Sequence, residues 1–76
     1  MISYYKIHDS YFKLDSEKTF FLQVNNSVSQ KAIIYGGASP AVDTLHAARI
    51  RDNWTEITEE EYNTVKASVL SYLSAN

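Results

Sequence analysis

The stretch Trp54-Thr-Glu-Ile-Thr-Glu-Glu-Glu-Tyr62 decides how this chain is read. Thr58 has the side chain of a helix N-cap, and Glu61 stands three positions on, so the two can form a capping box. Ile57 before the cap and Tyr62 four residues after it occupy the positions of a hydrophobic staple. Glu59, Glu60 and Glu61 fall in the first turn, where the helix dipole favours negative charge. Tyr62, Val65, Val69, Tyr72 and Leu73 then recur at helical spacing. The pattern predicts a helix from about Glu59 to about Leu73.

The residues before this helix alternate as strands do. Ile2 to Ile7 is rich in strand formers, with Tyr5 and Ile7 on one face and Ile2 and Tyr4 on the other. His8-Asp9-Ser10 has turn chemistry. Tyr11 to Leu14 reads as a second strand, with Phe12 and Leu14 together. Asp15-Ser-Glu-Lys18 is a hairpin turn. Thr19 to Val24 sets Phe20, Leu22 and Val24 against Phe21 and Gln23. Asn25-Asn-Ser27 is a turn, and Val28 to Tyr35 a fourth strand. Short turns between neighbouring strands imply an antiparallel meander.

Residues 36–53 are harder to read. Gly36-Gly37 breaks the strand, because glycine reaches dihedrals closed to other residues. Ser39-Pro40 resembles an N-cap with proline at the first helical position. A short helix over Ala41 to Arg51 is favoured. A loop leading into a last short strand near Ile50 or Trp54–Ile57 is the competing reading. The expected fold is therefore α+β, one domain over residues 1–76. It has an antiparallel β-meander of four or five strands, one C-terminal helix packed on it, and a short middle helix.

The chain has no cysteine, so neither a disulfide nor a thiolate metal site can staple it. Six Tyr, three Phe and one Trp supply apolar bulk instead. Residues 1–35 carry a net charge of +1 and residues 36–76 one of −3, so no basic patch points to duplex DNA. No apolar run approaches the roughly 20 residues that span a bilayer. The N-terminus has no signal-peptide pattern, so secretion by that route is not expected.

Candidate sites are few. His8 and Asp9 are neighbours and point to opposite faces if on a strand. Asp43 and His46 would share a helix face, but two ligands are too few for a metal site. Gly36-Gly-Ala-Ser-Pro40 lacks a P-loop lysine. The three glutamates are explained by the helix dipole. No catalytic residue, cofactor site or metal site is expected. The aromatics carry more weight. One C-terminal helix covers one sheet face, so the other face should expose rings, with Lys6, Lys13 and Lys31 nearby. Tyr5, Ile7, Phe21 and Tyr35 are the expected partner-binding residues. Rings beside lysines suit a protein interface first and single-stranded nucleic acid second.

Tyr4-Tyr-Lys-Ile7 and Trp54 to Tyr62 resemble the ends of small proteins encoded by bacteriophages and prophages, many with a tail like W-x-E-I-T-x-E-E-Y. The resemblance is confined to these two short stretches. It implies a virion accessory or capsid-associated role and carries over no catalytic residue. The expected function is a non-enzymatic interaction or structural module, located in the virion or the host cytoplasm. Its partner would be another protein or further copies of itself. An inhibitor of a host protein and a single-strand binder are the alternatives.

Overall fold

The computed structural model describes residues 1–75. Five strands form one antiparallel sheet: β1 (Ile2–Ile7), β2 (Ser10–Asp15), β3 (Phe20–Asn26), β4 (Lys31–Gly37) and β5 (Thr55–Ile57). Helix α1 (Ser39–Arg51) lies between β4 and β5, and α2 (Glu59–Ala75) ends the chain. The strand order is β4-β3-β2-β1-β5. The first four strands are a meander. After α1 the chain returns to the far edge, where β5 pairs with β1. The favoured middle helix is present in place of the competing loop; Ile50 lies within α1, and the short strand of the competing reading falls at Thr55–Ile57.

Alternation sorts the side chains as the sequence implies. The pairs Leu14↔Phe21 and Tyr5↔Phe12 fall on one face, and Tyr11↔Val24 and Lys13↔Leu22 on the other. On the second face Leu22, Val24, Tyr62 and Val69 form a buried cluster, joined by Tyr4, Tyr11, Ile33, Ile57 and Val65. This is the α2 layer. Glu61 donates its N–H to Thr58 Oγ1 at 3.1 Å, so Thr58 is a working cap. Ile57 and Tyr62 meet in the same cluster, as a staple requires.

The first face is not open, and this corrects the expectation of an exposed aromatic surface. Tyr5, Phe12 and Leu14 form a second buried cluster, with Ile7, Phe21, Leu45 and Trp54 packed on it. Leu45 comes from α1, whose Val42 and Ala48 are also buried. Trp54 stacks on Phe12 with ring centroids 4.4 Å apart. Arg49 lies over the Tyr5 ring at 4.9 Å. The sheet is thus sandwiched between two helices.

Three local expectations change. Val28 belongs to the β3–β4 turn and is fully solvent-exposed; β4 starts at Lys31. Gly36 and Gly37 are the last residues of β4, and neither has positive φ. Gly36 is required for a different reason: a Cβ there would run into the Phe21 ring. The positive φ angles fall on His8, Lys18, Ala38 and Asn53. Ala38, not Ser39, is the α1 N-cap residue, with φ 115° and no side-chain cap bond.

Candidate functional site

The four residues expected to bind a partner do not share an open surface. Tyr5 is buried, and Ile7 and Phe21 are half-buried beneath the α1 layer. Tyr35 lies on the opposite face and is 73% exposed. The lysines are also placed differently from the expectation. Lys6 lies over Tyr11, Lys13 over Tyr4 and Lys31 over Tyr72, all on the side of the sheet that α2 covers. Those rings already have cationic and helical neighbours.

The histidines are separated. His8 is exposed in the β1–β2 turn. His46 donates from Nε2 to the Asp15 carbonyl at 3.0 Å and accepts at Nδ1 from Arg49 at 3.3 Å, which requires the Nε2-protonated tautomer. Asp43 pairs with Lys18 at 2.9 Å. The Lys18 ammonium holds the Asp43 carboxyl below its usual range. The backbone N–H of Glu17 does the same to Asp15. These groups tie α1 to the β2–β3 hairpin. Among the described residues, no three His, Asp or Glu side chains gather as a metal site would require. No helix among them is long and apolar enough to cross a membrane.

What remains open is a sheet edge. The two edges differ sharply. β5 has three residues, two of them exposed and one of those Glu56. β4 has seven residues, Lys-Ala-Ile-Ile-Tyr-Gly-Gly, with a single charge at its start. Ile34 is 44% exposed and Tyr35 73%, on opposite faces of the strand. Native edges are commonly blunted by charge, proline, bulges or shortness, and β4 has no such device along its middle.

The ladder tells which backbone groups face outward. Asn26 donates its N–H to the Asp9 carbonyl at 2.8 Å, across the β2–β3 pairing. Alternation then directs Asn26, Val24 and Leu22 toward β2, and Asn25, Gln23 and Phe21 toward β4. The β4 partners of the latter are Ala32, Ile34 and Gly36. Lys31, Ile33, Tyr35 and Gly37 therefore turn their N–H and C=O groups to the open edge.

Next to this edge runs α2, which packs more on β4 than on any other strand. Its stripe is buried at Tyr62 and Val69 but emerges at the C-terminal end, where Leu70, Tyr72 and Leu73 are each more than 40% exposed. The Tyr35 signal was present in the sequence; the edge was not, because strand order is invisible in alternation alone. Compared with known proteins, the chain matches no family model, no curated protein and no solved structure.

Proposed function

We propose that this chain is a small non-enzymatic interaction module that assembles with protein through its β4 edge. The observation that carries this reading is the contrast between the edges: β5 is short and charged, whereas β4 is long, apolar and uncovered. Edge strands of this kind bind by strand addition, with main-chain hydrogen bonds giving affinity and flanking side chains giving selectivity. The exposed end of α2 adds apolar area beside the edge.

The resemblance of both chain ends to phage-encoded proteins favours a virion-associated role, as a capsid accessory component. The protein would then act in the virion or the host cytoplasm. Quantitative mass spectrometry of purified particles tests it. The chain should be present at a fixed ratio to the capsid protein, and Ile34→Lys should reduce that ratio. Absence from particles that are otherwise complete overturns the virion role. The single-strand reading is less well supported, because the ring and lysine pairs lie on the face that α2 covers. A salt titration with oligonucleotides checks it; no salt-dependent binding is expected.

A further inference from the structure

We propose that β4 pairs with β4 of a second copy of this chain, antiparallel and about a two-fold axis at Ile34, joining two five-stranded sheets into one. This rests on the interaction-module reading and names the occupant of its edge.

Four observations lead there. The outward backbone groups belong to Lys31, Ile33, Tyr35 and Gly37. Mirroring the strand about Ile34 sets Lys31 opposite Gly37 of the second copy and Ile33 opposite Tyr35. Every outward group then meets another outward group along the whole strand. A slip of one residue sets outward groups against residues already bonded to β3, and a slip of two shortens the ladder.

Side chains agree on both faces. On the α1 side, Ile34 meets Ile34 across the axis. On the α2 side, Tyr35 lies beside Ile33 of the second copy, an aromatic and β-branched pair of the kind that stabilises sheets. Ile34 and Tyr35 are the strand's most exposed large apolar residues, and one operation covers both.

Charge does not oppose the pairing. The only charged residue of β4 is Lys31. The two copies of it fall at opposite ends of the join, separated by roughly 20 Å of strand. Lys31 is also engaged within its own chain, donating to Asn26 Oδ1 at 2.7 Å.

The helices fit the same symmetry. A two-fold axis normal to the sheet places both α2 helices on one face, beside the join. Lys31 lies over the Tyr72 ring, so the C-terminal end of each α2 sits toward the Lys31 end of its strand, away from the axis. A foreign strand would satisfy the backbone but would need its own matching apolar residues on both faces. The second copy supplies them by identity.

Sedimentation equilibrium of the full chain tests the proposal. The wild type should show a monomer–dimer equilibrium. Ile34→Lys and Ile34→Glu each set like charges together at the axis and should each weaken dimerisation by about tenfold or more. An equimolar mixture of the two should recover the dimer, which misfolded variants could not do. Because the chain has no cysteine, Ile34→Cys reads the register directly. Mild oxidation should link two copies through position 34 and not through Ala32→Cys, since opposed residues at the axis come within disulfide reach. A wild-type chain that stays monomeric at every concentration overturns the self-pairing. So does a mixture of the charged variants that gains nothing over either alone. If the chain is monomeric yet Ile34→Lys still lowers its amount on particles, a foreign strand takes the edge and the interaction-module reading stands. If the chain is monomeric and particle binding is also unchanged by Ile34→Lys, both readings fall.

Discussion

Helices α1 and α2 cover opposite faces of one sheet, and they do it by different means. α2 is a locally complete helix. It has a side-chain cap at Thr58, acids in its first turn and a large buried ring at Tyr62. The Tyr62 hydroxyl donates to the Leu22 carbonyl at 3.1 Å inside the core. α1 has no side-chain cap and no acid in its first turn, and it enters from Ala38 at φ 115°. It is held by a smaller apolar contact and by polar ties to the β2–β3 hairpin: Lys18 with Asp43, and His46 with the Asp15 carbonyl. A helix can be specified by its own sequence or by what it docks on, and this molecule contains one of each.

The largest effect expected from this difference is in the two cores. Tyr62→Ala should cost about 3–5 kcal/mol, by analogy with other buried aromatics, and leave little folded protein. Val42→Ala on the α1 side should cost about 2 kcal/mol. Urea unfolding followed by circular dichroism gives both values. Equal losses would mean that the two layers contribute alike and would break the comparison.

Gly36→Ala comes next. The added methyl meets the Phe21 ring on the α1 side, an overpacking of about 1–3 kcal/mol. Phe21→Leu in the same chain should relieve part of it. A Gly36→Ala protein with an unchanged melting curve would show that Phe21 moves aside freely.

The caps separate the helices on a smaller scale. Thr58→Ala should cost about 0.5–2 kcal/mol, because a helix N–H loses its acceptor. Ser39→Ala should change stability little, since the Ser39 hydroxyl donates to Asp43 at 3.4 Å and caps nothing. Ala38→Gly should raise the melting temperature, because a residue with a Cβ is strained at that φ. A cost at Ser39 equal to that at Thr58 would mean that α1 is capped after all.

The smallest effects are in the pH limbs. The carboxyls of Asp15 and Asp43 are held below their usual range in the folded state. Their contribution is present above the unfolded carboxylate pKa of about 4 and is lost as pH falls through the lower folded values. Both groups are exposed, so the loss is modest. Hydrogen exchange should show α1 loosening before α2 in acid, and Asp43→Asn should remove part of that difference. At the alkaline end, burial pushes the Tyr62 phenol well above its ordinary value. The folded state then keeps a proton that the unfolded chain gives up. The α2 layer should lose stability as pH rises past about 10, and Tyr62→Phe should flatten that limb.

How much could be read in advance follows the same division. The capping pair Thr58 and Glu61, the staple of Ile57 and Tyr62, and the alternation of Phe20, Leu22 and Val24 against Phe21 and Gln23 were all legible. Each depends on residues a few positions apart, whose spacing sets capping and facing directly. The presence of a middle helix was legible too, but not its role as the second layer. That role depends on Leu45 reaching the Tyr5, Phe12 and Leu14 cluster, all more than thirty residues away in sequence. Gly36 looked like a strand breaker; its need is imposed by Phe21 on the neighbouring strand. Tyr5 and Phe21 looked like surface rings until α1 was placed over them, whereas Tyr35 stays exposed because β4 is an edge. Local spacing determined which residues share a helix stripe or a strand face. Only the tertiary structure decided which face is covered and which strand is left unpaired, because those depend on the order in which distant strands meet and on the contacts they bury.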